Sequence, residues 1–432
     1  MPRYKIEGGR SLEGVVTISG AKNAALPLIC ASLLTEETVT LTNMPILSDI
    51  KSMNLLLEQL GTQIDSFDDF VDGHPTKTYS YRTPELTSIA APYDYVRKMR
   101  ASYYVLGPLL ARAGKVELSL PGGCAIGTRP MDIHLAAMEE MGAKIDIRNG
   151  YVYGEVDGRL KGAHIVFRTV SVGATCNVLM AATLAEGITV LENAAKEPEI
   201  GDLINLLNDM GAKISGIGTS ILTIEGVKKL HGARHKVIPD RIEAGSYAVA
   251  AAITGGKIEL INAQTYTLKT PMQILQKMGV EVMPTERGIL VDATGKKLIG
   301  EDIITEPFPG FPTDLQAQFM ALLTVAEGAG MVTETIFENR FMHVPELLRM
   351  GANINVHGHA SAIVRGVKKL SGAPVMATDL RASFALVLAG LAAEGETVVN
   401  RVYHLDRGYE KLEEKLKGVG ADIERVKEDG EE

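Results

Sequence analysis

The clearest pattern along the chain is an apolar helix end followed by a glycine and a short β-branched segment, and it occurs six times. The segments read LEQLGTQI, MEEMGAKI, LNDMGAKI, LQKMGVEV, LLRMGANI and LKGVGADI, with glycines at Gly61, Gly142, Gly211, Gly279, Gly351 and Gly420. Each glycine fits the position after a helix C-terminus, where a left-handed backbone is favoured. Successive glycines lie 81, 69, 68, 72 and 69 residues apart. The pattern therefore predicts one supersecondary unit that repeats along the chain.

A second helix, rich in small and apolar residues, is predicted ahead of each glycine-capped helix. These segments read GAKNAALPLICASLL, ASYYVLGPLLARAG, GATCNVLMAATLAEG, AGSYAVAAAITGG, DLQAQFMALLTVAEG and RASFALVLAGLAAEG. Helices that are apolar on most faces are expected to be buried. Short β-branched strands such as KVELSL and KIELIN follow them, so each unit reads helix, strand, helix, strand and hairpin. The strands weigh against a helical solenoid and favour an α/β protein with buried helices surrounded by sheets.

A closing hairpin is predicted at the end of each unit, as in GEVDGRLKGAHIVF, TIEGVKKLHGARHKVI, LVDATGKKLIGEDII and IVRGVKKLSGAPVM. The hairpin is missing after Gly420, whereas residues 5–18, KIEGGRSLEGVVTI, match it. The N-terminus is therefore predicted to complete the sixth unit. Division into three and three units predicts a first domain at 22–238 and a second, discontinuous domain at 1–21 plus 239–432. The excess length of the first unit is placed in SFDDFVDGHPTKTYSYRT, as a surface excursion.

Composition and charge narrow the class of protein. The chain has 432 residues, of which 46% are hydrophobic and 22% charged, as in an ordinary globular protein of more than one domain. No apolar run approaches the ~18 residues of a membrane span, and MPRYKIEGGR lacks the apolar region of a signal peptide. We expect a cytoplasmic protein without membrane insertion. The net charge of −9 argues against a nucleic-acid partner, so any anionic ligand must meet a local cluster of basic groups.

The three cysteines do not form a metal or disulfide pattern. Cys30 and Cys176 lie in apolar helical segments, and no CxxC or HExxH spacing is present, so no metal is expected. Cys124, in PGGCAIGTR, follows two glycines and precedes Arg129 by five positions. The glycines permit a mobile loop, and a nearby guanidinium favours the thiolate. From this segment alone, a buried and inert cysteine is the alternative.

Several longer segments resemble one family. These are SGAKNAALP, LSLPGGCAIGTRPMDIHL, SVGAT, PDRIEAG, FPTDLQAQF, FENRFMHVPEL, DLRAS and DRGYEKLEEKL. In this order, over nearly the whole chain, they resemble the UDP-N-acetylglucosamine 1-carboxyvinyltransferase family of enolpyruvyl transferases. The resemblance implies a two-domain inside-out α/β barrel with three βαβαββ-type units per domain and an active site in the cleft between the domains.

The activity implied by the resemblance is transfer of the enolpyruvyl group of phosphoenolpyruvate to the 3-hydroxyl of UDP-N-acetylglucosamine, with release of phosphate. The hydroxyl adds to C2 while C3 gains a proton, and phosphate is then eliminated. This is the first committed step of peptidoglycan precursor synthesis, and it needs no metal or organic cofactor. The resemblance also implies that fosfomycin, an epoxide similar to phosphoenolpyruvate, alkylates Cys124.

The resemblance implies four catalytic residues, which are Cys124, Asp314, Lys22 and Arg407. Asp314 is the expected base for the 3-hydroxyl, and Cys124 is expected near C3 of phosphoenolpyruvate as an acid or an aid to product release. Most of the implied substrate contacts lie near the start of a buried helix, where N–H groups favour anions. The implied substrate-binding residues are Lys22, Asn23, Arg100, Arg129, Pro130, Met131, Asp132, Ile133, Ser171, Val172, Gly173, Asp314, Ile336, Arg381 and Arg407.

Alternatives remain at this point for single residues and for the whole chain. Asp314 follows proline and threonine at a helix start, so it also fits a plain N-terminal helix residue, and any one arginine also fits a solvated surface charge. Thr169 stands where some members of the family carry lysine, and adjacent Arg168 is expected to point the other way along a strand. For the chain, transfer to shikimate 3-phosphate and a noncatalytic nucleotide-binding repeat scaffold are the alternatives.

Overall fold

The computed structural model describes residues 2–71, 73–96, 99–120 and 131–426, and for His74 and Arg100 it describes the backbone alone. The α-helices of these ranges are α1 (Lys22–Ala31), α2 (Ser48–Gln59), α3 (Tyr93–Val96), α4 (Leu106–Ala113), α5 (Asp132–Glu140), α6 (Val172–Ala182), α7 (Pro198–Asp209), α8 (Arg241–Ile253), α9 (Lys269–Lys277), α10 (Gln316–Leu323), α11 (Val344–Arg349), α12 (Leu380–Ala392) and α13 (Leu412–Gly418). Short 3-10 helices occur at Ser32–Leu34, Arg100–Val105, Thr265–Thr267, Thr313–Leu315 and Val402–Arg407.

The strands are short and evenly distributed along the chain. In chain order they are β1 (Arg3–Glu7), β2 (Glu13–Thr17), β3 (Val39–Met44), β4 (Gln63–Val71), β5 (His74–Arg82), β6 (Ala90–Ala91), β7 (Lys115–Ser119), β8 (Lys144–Arg148), β9 (Tyr151–Glu155), β10 (His164–Val166), β11 (Ile188–Glu192), β12 (Lys213–Ser215), β13 (Ile221–Glu225), β14 (Arg234–Lys236), β15 (Lys257–Ile261), β16 (Glu281–Pro284), β17 (Gly288–Asp292), β18 (Ile303–Ile304), β19 (Ala329–Thr333), β20 (Asn353–His357), β21 (Ser361–Arg365), β22 (Pro374–Met376), β23 (Glu396–Asn400) and β24 (Asp422–Val426).

The glycine-capped helices are confirmed. They are α2, α5, α7, α9, α11 and α13, and the glycine after each takes a positive φ between 88° and 106°. A side chain would be strained in this backbone conformation, whereas glycine is not. The local pattern was therefore sufficient to locate the end of each of these helices.

The buried helices are confirmed as well. They are α1, α4, α6, α8, α10 and α12, and they carry few exposed residues; every residue of α8, for example, is buried. Helices α8, α10 and α12 pack against one another. Side chains such as Phe319 and Phe384 are fully buried there, because helices without a polar face have no surface suited to water.

The strands form six four-stranded sheets with the orders β14-β3-β5-β4, β6-β7-β9-β8, β10-β11-β13-β12, β16-β17-β15-β2, β18-β19-β21-β20 and β22-β23-β1-β24. Each sheet takes three strands from one unit and a fourth strand of two to five residues, paired in parallel, from another part of the chain. The repeated units and the buried helices confirm the predicted α/β fold.

The predicted closing hairpins are wrong. Strands β9 and β10 lie in different sheets, and so do β13 and β14, β17 and β18, and β21 and β22. The glycine-containing connection between them resembles a hairpin turn, but the second strand pairs with the next unit, and β14 returns to β3 of the first unit. Local sequence cannot distinguish these outcomes, because a strand's pairing partner is chosen by tertiary packing.

The N-terminus does complete the sixth unit, although not as a hairpin. Strand β1 lies between β23 and β24 and is antiparallel to both. Strand β2 instead pairs in parallel with β15 of the fourth unit. It supplies the parallel fourth strand of that sheet, whereas every other sheet receives this strand from the end of another unit.

The excess length of the first unit forms a long hairpin. Strands β4 and β5 have nine residues each and are paired throughout. Phe67 and Phe70 on β4 are 57% and 67% exposed. The predicted surface excursion is therefore an extension of the sheet edge, not an irregular loop.

The described residues fall into two compact units, each with its own hydrophobic core. One unit contains the described residues up to Ile18 and those from Pro239 onward, and the other those from Ser19 to Ile238. No α-helix in the described ranges combines the length and the apolar character needed to cross a membrane.

Candidate functional site

Asp314 is the centre of an ion cluster in the unit that contains the described residues from Pro239 onward. It lies in the 3-10 helix Thr313–Leu315, directly before α10. Nη2 of Arg340 donates to its Oδ1 at 2.7 Å, and Nη2 of Arg381 donates to its Oδ2 at 2.9 Å. The side chain of Asp314 is 25% exposed, whereas those of the two arginines are 7% and 5% exposed. The carboxylate is thus the part of this cluster that a ligand can reach.

Arg381 remains a cation in this cluster. It lies in the first turn of α12, whose N-cap Asp379 accepts from the backbone N–H groups of Arg381 and Ala382. Burial is the largest single effect and lowers the pKa of the Arg381 guanidinium, but Asp314, Tyr409 and Asp240 together raise that pKa above its usual value. Its Nη1 is buried without a hydrogen-bond partner among the described residues. Its Cζ lies 5.4 Å from the centre of the Tyr409 ring.

Arg340 was not selected from the sequence, although it lies in the segment FENRFMHVPEL. It is 6% exposed, and its guanidinium contacts both Thr313 and Asp314. Glu334, directly after β19, was missed as well; its buried carboxylate accepts from Thr313. Both residues are distant from Asp314 in the sequence, so the spacing of residues gave no indication of these contacts.

Arg407 ends the 3-10 helix Val402–Arg407, which packs against α12. It is half-buried. The carboxylate of neighbouring Asp406 accepts from both terminal nitrogens of Arg425 on β24, at 2.8 and 2.5 Å. Burial, and then the positive charge of Arg407, lower the pKa of His404. Two cations therefore flank the end of this helix.

Lys22 and Asn23 open α1 in the other unit. Lys22 is buried, and its Nζ lies 3.4 Å from Oδ2 of Asp49, in the first turn of α2. Asn23 beside it is half-buried. Asp49 follows a serine at a helix start and offered no sequence signal beyond a good first-turn residue. The ion pair holds the lysine at the N-terminal end of a buried helix.

The segment Ser171 to Gly173 opens α6, as predicted. The Ser171 side chain accepts from the N–H of Ala174 at 3.3 Å. A Cβ on Gly173 would lie 2.8 Å from Oη of Tyr103 and 3.0 Å from Cε1 of His134. Glycine is therefore required for the close approach of these rings, and Val172 beside it is half-buried.

His134 is a helix residue below this segment. It lies in α5, is 5% exposed, and its Nδ1 is 3.0 Å from Nδ2 of Asn177. Burial lowers its pKa to about 4. The imidazole is consequently neutral at neutral pH and packs edge-on against Tyr103.

The residues after Pro130 start α5. Met131 is its N-cap and is buried, Asp132 is its exposed first residue, and Ile133 is half-buried. The Asp132 carboxylate accepts from Nη2 of Arg168. Arg168 and Thr169 lie in a bend after β10, so the expectation that they alternate along a strand is wrong. Their directions follow from the bend, which brings Arg168 to the helix start.

Some predicted site residues cannot be placed. Cys124, Arg129 and Pro130 lie outside the described residues, and the side chain of Arg100 does too. Ile336 lies in the loop after β19, is 37% exposed, and donates its backbone N–H to Glu334. Among the residues that the structure describes, no group of three or more histidine, cysteine or acidic side chains is arranged to hold a metal ion.

Comparisons with known proteins bear on the family. The profile of EPSP synthase (3-phosphoshikimate 1-carboxyvinyltransferase) matches residues 6–416. Two curated relatives, from Paramagnetospirillum magneticum and Granulibacter bethesdensis, are each named UDP-N-acetylglucosamine 1-carboxyvinyltransferase. The first is 60% identical over 99% of both chains, and the second is 61% identical over 99% of this chain and 100% of its own.

Solved structures agree. The enolpyruvyl transferase NikO from Streptomyces tendae is 25% identical, with a TM-score of 0.85 over 98% of this chain and 99% of its own. EPSP synthase from Acinetobacter baumannii is 18% identical, with a TM-score of 0.75 over 99% of this chain and 100% of its own, and this likeness concerns the fold alone. The chain belongs to the enolpyruvyl transferase family, and within it to the UDP-N-acetylglucosamine 1-carboxyvinyltransferases.

Proposed function

We propose that this protein transfers the enolpyruvyl group of phosphoenolpyruvate to the 3-hydroxyl of UDP-N-acetylglucosamine and releases phosphate, in peptidoglycan precursor synthesis. The observation that carries the proposal is Asp314, a partly exposed carboxylate held by two buried arginines. The names of the full-length relatives support the choice of substrates. We place this reaction in the cytoplasm, where both substrates are expected.

Asp314 acts as the base in this proposal. Its carboxylate accepts the proton of the 3-hydroxyl while the sugar oxygen forms a bond to C2 of phosphoenolpyruvate and C3 gains a proton. The resulting tetrahedral intermediate then loses a proton from C3 and its C2–phosphate bond breaks, which restores the double bond. The arginines beside Asp314 are fixed by their own contacts, so they need no rearrangement as charge moves.

The anionic substrate meets cations in this proposal. Lys22, Arg129 and Arg407 bind the phosphate and carboxylate of phosphoenolpyruvate, with Arg100 and Arg381 as further contacts. The positive charge that Arg381 keeps in its ion pair with Asp314 supports this role, since guanidinium forks suit carboxylates. The guanidinium groups of these arginines stay positively charged through the whole reaction cycle.

The nucleotide sugar is assigned to helix starts. Asn23, Ser171, Val172 and Gly173 offer N–H groups and short side chains, which suit a diphosphate. The stretch from Arg129 to Ile133 (Arg129, Pro130, Met131, Asp132 and Ile133) and Ile336 complete the assigned set. Thr169 provides no cation for the diphosphate, but Arg168 lies in the same bend and is 69% exposed.

Cys124 is assigned a role near C3 of phosphoenolpyruvate, as an acid or in product release. The thiol is also the proposed site of alkylation by fosfomycin, whose epoxide opens as the Cys124 sulfur bonds to carbon. We expect Cys124→Asp to resist the inhibitor and keep its activity. Unchanged sensitivity in that variant would remove Cys124 from this role.

The test is phosphate release by the full chain with phosphoenolpyruvate and one acceptor at a time. We expect release with UDP-N-acetylglucosamine and none with shikimate 3-phosphate. Mass spectrometry of the nucleotide-sugar product is expected to show one added enolpyruvyl group. Release with shikimate 3-phosphate alone would overturn the acceptor, and no release with either would favour the noncatalytic scaffold.

A further inference from the structure

The carboxylate of Glu334 joins the loop after β19 to the helix turn that carries Asp314. Glu334 is 3% exposed. Its Oε1 accepts from Oγ1 of Thr305 at 2.9 Å and from the backbone N–H groups of Ile336 and Phe337 at 2.9 and 3.1 Å. Its Oε2 accepts from Oγ1 of Thr313 at 2.9 Å. One oxygen therefore holds the loop, and the other holds Thr313 in the helix turn that carries Asp314.

The hydroxyl of Thr313 donates to Glu334 and accepts from Arg340. A hydroxyl has one hydrogen to donate, and Thr313 donates it to Glu334. Only its lone pairs face Nη1 of Arg340, which donates to them at 2.6 Å. Nη2 of the same guanidinium donates to Oδ1 of Asp314 at 2.7 Å. The planar guanidinium is thus held at two points, and its second nitrogen is aimed at Asp314.

We propose that Glu334 is a positioning residue for the reaction, acting through Thr313 and Arg340 to hold Asp314 in the direction from which it takes the substrate proton. This inference rests on the proposed function, since it assigns Asp314 the role of base. Glu334 is buried, so it is assigned an effect on the reaction only through these contacts. Its charge matters because a carboxylate oxygen is an acceptor only and forces the Thr313 hydrogen away from Arg340.

The two oxygens of Glu334 allow the positioning role to be separated from a purely structural one. Thr313→Val removes the contact to Oε2 and leaves the three bonds to Oε1. We expect kcat to fall about 10- to 100-fold, because a small misplacement of a catalytic group is costly. The KM for UDP-N-acetylglucosamine is expected to stay within about 3-fold, since the loop at Ile336 keeps its bonds. Thr313→Ser retains the hydroxyl and is expected to restore kcat to within about 3-fold.

Glu334→Gln provides the second arm of the experiment. An amide keeps one acceptor oxygen for the loop but turns an NH₂ donor toward Thr313, so the contact between residue 334 and Thr313 is reversed and the Thr313 hydrogen is no longer held away from Arg340. We expect a loss of kcat similar to that of Thr313→Val. The double variant is expected to be no worse than the poorer single variant, since both changes break one chain of contacts. Thr285→Val is the matched control: Thr285 donates to Glu259 in the same unit and is expected to leave kcat unchanged.

Several results would overturn the inference while wild type releases phosphate. These are wild-type kcat in Thr313→Val, an equal loss in Thr313→Ser, or losses that add in the double variant. If Thr313→Val fails to fold, Thr313→Ser and Glu334→Gln decide, with wild-type kcat in Glu334→Gln overturning the inference. Absence of phosphate release by wild type would instead overturn the proposed function, so the two failures are distinguishable.

Discussion

Two helices in corresponding places of the repeat, α6 and α12, begin alike but present different chemistry. Each follows an N-cap side chain that accepts backbone N–H groups, Ser171 before α6 and Asp379 before α12. At the second helical position, α6 has Gly173 and α12 has Arg381. One helix start therefore presents bare backbone, and the other a buried cation paired with Asp314.

The histidines beside these helix starts repeat as well. His134 and His343 each lie eight residues before a helix-ending glycine. Both are buried, and both have a pKa lowered to about 4, chiefly by burial. His134 contacts Asn177, whereas Nε2 of His343 lies 3.2 Å from Sδ of Met320. The repeated backbone thus supplies equivalent positions in the two units. The residue at the second helical position then decides the chemistry: Gly173 leaves the start of α6 uncharged, whereas Arg381 places an ion pair at the start of α12.

The largest test of this contrast removes the charge of Asp314. Asp314→Asn is expected to lower kcat by about 10²- to 10⁴-fold, because an amide cannot accept the substrate proton. The free energy of unfolding is expected to fall too, since two buried guanidinium groups lose their anion. Phosphate release is measured where circular dichroism shows the variant folded. Asp422→Asn, which breaks an exposed pair with Arg10, is the control, and near-normal turnover in Asp314→Asn would exclude it as the base.

The shared histidines predict a common pH dependence of stability. Each has a usual pKa of 6.5 and a folded pKa of about 4, so the unfolded chain binds protons that the folded protein excludes. The free energy of unfolding is therefore highest above the usual pKa of histidine. It falls as the pH drops towards the pKa of the folded protein, by up to about 3 kcal/mol per histidine.

His134→Asn and His343→Asn are each expected to flatten this dependence, as measured by chemical denaturation across that pH range. The exposed His359 serves as the control site, where His359→Asn is expected to leave the slope unchanged. A wild-type slope in either buried variant would contradict the shared role of the two histidines.

A third test fills the space above Gly173. Gly173→Ala places Cβ within 3.0 Å of Tyr103 and His134, so we expect a loss of about 1–3 kcal/mol in stability and a raised KM for UDP-N-acetylglucosamine. Gly201→Ala is the matched control inside α7, where Cβ meets Ile217 at an ordinary 3.6 Å. Thermal unfolding measures both variants. Equal stability of the two would show that close approach does not require Gly173.

The smallest expected effect compares the two N-caps. Ser171→Ala removes one bond of 3.3 Å and is expected to cost about 1 kcal/mol or less. Asp379→Ala removes two bonds from backbone N–H groups, at 2.9 and 3.1 Å, a third from the Thr378 hydroxyl and a charge, so it is expected to cost more. Denaturant unfolding of both variants gives the order. A larger loss for Ser171→Ala would reverse the contrast between the two helix starts.

Local pattern was enough for much of the fold. Helix ends at glycines such as Gly142 and Gly351, and the burial of apolar helices such as α8, depend on residues a few positions apart, and all were predicted. The closing hairpins were wrong because the second strand of each pairs with a different unit. The candidate site was predicted only in part, since Asp314 and Arg381 came from the family resemblance. Arg340, Glu334 and Asp49 were missed, because each contacts a partner that is distant in the chain.

By itself, the sequence determined the repeat, the ends of the glycine-capped helices, the burial of the apolar helices and the family that the longer segments resemble. These properties follow from hydrophobic periodicity and from backbone preferences that act over a few residues. Only the tertiary structure decided which sheet each short strand joins and which charges meet at Asp314. Arg381 lies 67 residues from Asp314 along the chain, yet 2.9 Å from it in space. Such contacts depend on how helices and sheets pack, and no local pattern in a single sequence records that packing.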